Sequence, residues 1–385
     1  MASGLKSRLR AMSGGSGRPD IRSRAGLRVI DSMTEGLAGI DPPSDAALHR
    51  MGYDFALRDL SRCLFLDTET TGFSGAGTIA FLVGTGWFEG TDFRLRQYLL
   101  GDYPDEPEML VRLSEQMRAY DTVVTFNGNT FDLPLLEGRY TMLRMRDMWV
   151  PLRRMDLLPP AKKVWRRRLH SVRLANLEAN ILRFGREDDL PGSEAPKRFF
   201  NYLKTGDAES LNPVLEHNRQ DVLSMALLMR RLFEAYGDPA AQTEADDLFS
   251  MGKTLSAQGE LKTAARCYHL ASLPRPLVTI GALRSERTAA QALFELGLMH
   301  RRSGEYKSAC SCFEKAASRR KSDPAPLIEI AKIEEHRFRN YDAALALSQE
   351  ALKRANDQQT RAMCEKRIER LERKIRNHTG GDYEP

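Results

Sequence analysis

The sequence predicts a mixed α/β sheet with flanking helices, followed by a separate all-α domain of helical repeats. Three observations lead there: strand-like apolar runs separated by glycines between residues 63 and 100, alternating helix and strand patterns from 107 to 158, and a recurring spacing of small and aromatic residues after 239. At 385 residues the chain exceeds the roughly 100–200 residues of one ordinary domain, so two folded units are expected. With 42% hydrophobic and 29% charged residues, the composition excludes collagen-like, disulfide-scaffold and wholly disordered classes. The longest uncharged apolar stretch, Thr78 to Phe88, falls well short of the roughly 18 residues a membrane helix needs. No charged segment followed by an apolar one opens the chain as a secretory signal would, so a cytoplasmic location is expected. Cys63, Cys267, Cys310, Cys312 and Cys364 form no C-x-x-C pair and have no histidines at zinc spacing. They read as reduced thiols, mostly in the core.

Residues 1–43 are rich in Ser, Gly and Arg without a sustained apolar period and predict a flexible basic tail ending near Pro42 and Pro43. The sheet domain is expected over 44–238. Cys63 to Leu66 is a short buried strand, Ile79 to Phe88 a second, and Phe93 to Leu100 a third, in which Phe93, Leu95, Gln97 and Leu99 share one face. The glycines between them suit hairpin turns, giving a meander. A helix pattern follows from Pro107 to Tyr120, then a strand from Thr122 to Phe126, a helix from Phe131 to Met145 and a short strand from Met155 to Leu158. The remainder reads as helices and loops, ending in a long helix from Asn212 to Phe233.

Helical repeats are expected over 239–378, with a short tail at 379–385. Gly252, Ala264, Tyr268 and Ala271 recur as Gly297, Ala309, Phe313 and Ala316, with offsets of 12, 16 and 19 in both copies. This spacing is that of a tetratricopeptide repeat, where two helices approach at small residues and an aromatic ring fills the remaining space. Ala331, Ala344 and Ala351 fit a third copy after one inserted residue. The long interval between the first two copies points to an insertion at Leu273 to Ser285. Stacked hairpins of this kind present a concave surface suited to a protein partner.

Charge is unevenly distributed. The first 30 residues hold seven basic side chains against Asp20, which accounts for the net charge of +6. Between Arg139 and Arg173, eleven basic residues stand against Asp147 and Asp156, a local +9. A solvated helix face usually mixes signs, so this one-signed density favours contact with a polyanion such as DNA or RNA.

The residues that carry chemistry begin at Asp67-Thr68-Glu69, where the first strand ends. The period of two places Asp67 and Glu69 on one face, and adjacent carboxylates repel unless a divalent cation lies between them. Asp132 follows the polar turn Asn127-Gly128-Asn129-Thr130 after the fourth strand. In the last helix, His217 and Asp221 are four apart and share a face. Asn127, Gly128 and Phe131 could grip a terminal nucleotide through an amide, close backbone approach and stacking. Trp165, beside Arg166, Arg167 and Arg168, could stack on a base. Asp156 reads as structural.

The segments LDTETTG, FNGNTFDLPLL and HNRQDV resemble the three motifs of the DEDD exonuclease superfamily. Residues from about Leu64 to Phe233 resemble YprB-like ribonuclease-H-like domains, which often precede tetratricopeptide repeats. The resemblance implies a ribonuclease-H-like sheet in which the fourth strand lies beside the first, bringing Asp132 toward Asp67. It also implies two Mg²⁺ or Mn²⁺ ions held by Asp67, Glu69, Asp132 and Asp221, with His217 near the attacking water, in a metal-dependent 3′ to 5′ exonuclease. One position departs from the pattern. Branches of that superfamily carry Tyr four residues, or His five residues, before the last Asp, and here His stands at the tyrosine spacing. The alternative from another class is a noncatalytic nucleic-acid-binding adaptor that recruits a partner through its repeats.

Overall fold

The structure, a computed structural model, describes residues 26–35, 40–72, 77–186, 190–274 and 282–379. The basic side chains from Lys6 to Arg24 and the end of the chain beyond residue 379 lie outside the described residues. The chain divides into two compact units, Met1–Gly237 and Asp238–Pro385.

The first unit is built on a six-stranded mixed sheet of order β1-β4-β3-β2-β5-β6. Its strands are β1 (Arg28–Thr34), β2 (Cys63–Thr70), β3 (Ala80–Glu89), β4 (Asp92–Leu99), β5 (Thr122–Thr125) and β6 (Arg153–Asp156). The expected meander is present: β2, β3 and β4 pair antiparallel in sequence order. On the other side of β2, β5 is parallel to it and β6 parallel to β5. All four residues of β5 are buried, as suits an internal parallel strand covered on both faces. The helices are α1 (Asp45–Met51), α2 (Glu106–Met117), α3 (Asp132–Met142), α4 (Leu158–Leu169), α5 (Leu174–Leu177), α6 (Glu194–Thr205) and α7 (Asn212–Gly237). The apolar faces of α2, α3 and α6 and the start of α7 form a core with the sheet, in which Phe81 of β3 stacks on Phe199 of α6 with ring centroids 4.3 Å apart.

Two expectations change. The flexible tail does not extend to residue 43, because Arg28–Thr34 pairs antiparallel with β4 as an edge strand. Its side chains hide the fact. Alternate residues are only half-buried, and charge rather than an apolar stripe fastens the strand, with Arg96 gripping Asp31 at 2.6 and 2.8 Å. The first expected strand also runs further than Leu66. β2 continues to Thr70 and carries Asp67 and Glu69 within the sheet.

The second unit is helical, with α8 (Ala245–Ala257), α9 (Leu261–Ser272), α10 (Ala282–Arg302), α11 (Tyr306–Arg319), α12 (Ala325–Ile333), α13 (Tyr341–Arg354) and α14 (Gln358–Thr379). Sequential helices pack as hairpins, and the repeated spacing has a direct steric basis. A Cβ at Gly252 would fall 2.6 Å from the Tyr268 ring, and one at Gly297 2.5 Å from Phe313. Ala331, Ala344 and Ala351 of the third copy are fully buried. Much of the expected insertion lies outside the described residues. All five cysteines are free thiols and all but Cys312 are buried. Among the described residues, no helix is long and apolar enough to cross a membrane.

Candidate active site

The parallel pairing of β2 with β5 sets the position of α3, which starts after the turn that follows β5. Asp132, the first residue of α3, reaches back to β2, where its Oδ1 accepts from the Thr68 backbone N–H at 3.1 Å and from Thr68 Oγ1 at 2.5 Å. Thr68 stands between Asp67 and Glu69, so Asp132 is delivered to the same strand end. Directly after Glu69 the register of β2 against β3 shifts by one residue. Such a bulge bends the strand and re-aims its side chains.

The long helix α7 crosses β2 and brings Asn218, His217 and Asp221 to the site. Asn218 is fully buried, donates to Asp67 Oδ2 at 2.9 Å, and accepts from Gln97 Nε2 on β4 at 2.8 Å. Gln97 also donates to the Leu215 carbonyl at 2.8 Å, tying α7 to the sheet. Gly84, paired with Asp67 in the register, permits this approach: a Cβ there would lie 2.1 Å from Asn218 Oδ1. His217 Nε2 is 3.9 Å from Glu69 Oε1 and 3.8 Å from Asp221 Oδ2, so one ring nitrogen is flanked by both carboxylates. Arg186 donates to Asp221 and, at 2.8 Å, approaches His217 Nδ1.

The electrostatics are those of crowded acids. Burial pushes the Asp67 carboxyl well above the ordinary carboxylate range, and repulsion from Asp221, Asp132 and Glu69 adds to it while the Asn218 hydrogen bond opposes. Glu69 is pushed up to about 8, first by burial and then by Asp221 and Asp132, against the pull of Arg186. Asp132 is raised to about 6 by burial, opposed by its Thr68 hydrogen bonds. Asp221 is raised by burial despite the adjacent Arg186 guanidinium.

A divalent cation suits this donor set chemically, since hard oxygen ligands and mutual repulsion both favour Mg²⁺ or Mn²⁺. The side chains are nevertheless committed elsewhere: Asp132 to Thr68, Asp67 to Asn218 and Asp221 to Arg186. Among the described residues, no group of three or more His, Cys, Asp or Glu is arranged to hold a metal ion as it stands. Each of these bonds takes one oxygen, and a carboxylate offers about four lone-pair sites.

The other expected residues divide. Asn127 is exposed in the left-handed region at φ 71°, and its N–H donates to Asp156 Oδ1 at 2.7 Å. Asp156 also accepts from the backbone of Asn129 and Leu158, so it shapes the turn before α3. Gly128 is buried, and a Cβ there would meet Thr125 at 2.5 Å; Phe131 is half-buried. Trp165 has to be withdrawn as a stacking platform, because it is 2% exposed and packs in the core. Its neighbour Arg166 is exposed, while Arg167 and Arg168 are half-buried. These arginines end α4, roughly 15 Å along the helix axis from Leu158. The sequence reading missed Arg186, Glu178, Gln97 and Asn218. Asn218 left a signal, as a polar residue on the α7 face shared by Leu215 and Val222, and so did Gln97, on the strand face shared by Phe93, Leu95 and Leu99.

Residues 64–233 match the family model RNase_H superfamily, and residues 292–325 match the tetratricopeptide repeat model. The chain is similar to the uncharacterized protein YprB of Bacillus subtilis (strain 168), with 31% identity over 205 residues. That match covers 52% of this chain and 49% of YprB, so it spans about half the length of the relative. With the sheet order and the paired glycines and rings in place, residues 64–233 form a ribonuclease-H-like domain, and a region that matches the tetratricopeptide repeat model follows in the second unit.

Proposed function

We propose that this protein is a divalent-metal-dependent nuclease, a 3′ to 5′ exonuclease acting on DNA or RNA through two Mg²⁺ or Mn²⁺ ions. One observation carries the reading: Asp67, Glu69, Asp132 and Asp221 crowd one end of β2, where burial and repulsion raise the proton affinity of each. A fold gains nothing from such crowding unless a cation or a bound substrate group relieves it. Two bound divalent cations would supply an activated water, a polarised phosphoryl group and charge relief on the leaving oxygen. Asp67, Glu69, Asp132 and Asp221 would hold them. The chain's own contribution is orientation. Asn218 fixes Asp67, Thr68 fixes Asp132, and α7 sets His217 between Glu69 and Asp221. The exposed Asn127 and half-buried Phe131 would receive the terminal nucleotide, and Arg166, Arg167 and Arg168 would meet the phosphates of the trailing strand.

The adaptor reading is favoured by one observation: the Asp221–Arg186 ion pair neutralises a carboxylate without a metal. Calorimetric titration of Mn²⁺ into the full-length protein separates the two readings. The nuclease reading expects saturable binding that Asp67→Asn weakens by at least about tenfold, the size of one lost charge-assisted contact of roughly 1.5–3 kcal/mol. Salt-sensitive nucleic-acid binding with no Mn²⁺ uptake would establish the adaptor instead. A protein partner for the tetratricopeptide unit belongs to both readings.

A further inference from the structure

Arg186 is built into the site more firmly than a surface ion pair would be. Its side chain is 7% exposed, and Nε and one NH2 group bind Glu178 as a fork at 2.7 Å each. Glu178 is itself fully buried and accepts from Ser224 Oγ of α7 at 2.6 Å. It opens the π-helical turn Glu178–Leu182, which ends at Arg183 in the left-handed conformation, with the Phe184 N–H bonded to the Glu178 carbonyl at 3.1 Å. The guanidinium is therefore held from behind. Its forward edge meets Asp221 and, through the other terminal nitrogen, His217 Nδ1 at 2.8 Å.

That last contact has only one chemical solution. A guanidinium has donors and no acceptor, and it keeps its charge in proteins. Nδ1 must therefore accept, using its lone pair. A ring accepting at Nδ1 is neutral and carries its proton on Nε2, the nitrogen that faces Glu69 and Asp221 at 3.9 and 3.8 Å.

We propose that Arg186 is the positioning residue that fixes His217 as the Nε2–H tautomer, so that the imidazole offers a hydrogen-bond donor, not a proton acceptor, to the group that enters the site. This rests on the nuclease reading for the identity of that group, a non-bridging phosphate oxygen. Anionic phosphate is what an N–H flanked by carboxylates would favour once their charge is relieved. A general-base role at Nε2 would require Arg186 to leave Nδ1 and the ring proton to move.

The tautomer is tested without hydrolysis. Long-range ¹H–¹⁵N correlation spectra of the full-length, metal-free protein, with His217 identified among the seven histidines by His217→Gln, read the protonation of both ring nitrogens. The expected spectrum has the proton on Nε2 and Nδ1 shifted as a hydrogen-bond acceptor. The double variant Glu178→Gln/Arg186→Met removes the guanidinium together with the Glu178 charge it neutralises, leaves Asp221 without its ion pair, and should move Nδ1 to the position of a free lone pair. A ring protonated on Nδ1, or on both nitrogens, in the wild type overturns the proposal even if the double variant does not fold. So does a His217 spectrum indifferent to loss of Arg186. The donor role is read separately from turnover on a labelled oligonucleotide. Glutamine can donate but cannot act as a base, so His217→Gln should retain turnover within about tenfold while His217→Ala loses about 10²-fold. Equal loss in both variants overturns the donor role. Absence of any cleavage by the wild type would sink the nuclease reading and leave the tautomer assignment standing on the spectra.

Discussion

Glu69 shows what the site does to a single residue. Its carboxyl is raised from 4.5 to about 8 by burial and by Asp221 and Asp132. In the metal-free protein the folded state then holds a proton at Glu69 that the unfolded state has already released between pH 4.5 and about 8. Stability from this group is fully present below the unfolded value and is lost as pH rises through the folded one. Thermal unfolding in EDTA should show the melting temperature falling from pH 5 to pH 8, and Glu69→Gln should flatten that slope. A melting temperature that rises over this window equally in both proteins would contradict the assignment. Two pairs of the cluster were legible in the sequence because their relation is local, a strand period of two for Asp67 and Glu69 and a helical turn for His217 and Asp221, whereas Asp132 joined them only through the ribonuclease-H-like resemblance. Arg186 and Asn218 act across separations of 35 and 151 residues. No local period records such pairings, and LRFGRED carries no motif that would single out its second arginine.

At the scale of the element, close approach explains most of what the sequence showed. The offset of 16 between Gly and an aromatic residue in the repeats is a packing contact, Gly252 on Tyr268 and Gly297 on Phe313. Gly297→Ala places a methyl group 2.5 Å from a fully buried ring. Overpacking of this kind typically costs about 1–3 kcal/mol, so chemical denaturation should detect the loss in the second unit. An unchanged midpoint would mean that the hairpin relaxes freely around the ring. Gly84 makes the same kind of contact in the sheet, and there the element packed against it is α7 with Asn218. The meander and the parallel strands were readable from apolar runs. β1 was not, because an edge strand in this sheet is held by backbone pairing and the Asp31–Arg96 ion pair, neither of which leaves an apolar alternation.

Over the whole molecule, charge is the property that local geometry does not set. The one-signed segment from Arg139 to Arg173 is divided by folding. Arg139 is drawn into an ion pair with Glu106 at 2.6 Å and Arg154 bonds Glu137, whereas Lys162, Lys163 and Arg166 stand exposed on α4. The exposed group on α4 is open to phosphates. Replacing Lys162 and Arg166 together by Ala should weaken nucleic-acid binding uniformly across sequences and lower the salt slope by about one per residue removed. An unaltered slope would place the nucleic-acid path elsewhere on the first unit.

The central claim is that the carboxylates at the end of β2 carry out metal-dependent hydrolysis. Its most direct test is the product ladder from a 5′-labelled single-stranded oligonucleotide, DNA and RNA in parallel, incubated with Mn²⁺ and the wild-type protein or Asp67→Asn. The account predicts stepwise shortening from the 3′ end by the wild type, suppression by EDTA, and a loss of at least about 10²-fold in the variant, the size expected when one group stabilising the transition state is removed. Cleavage that persists undiminished in a folded Asp67→Asn protein, or no cleavage of either substrate by the wild type, would contradict it.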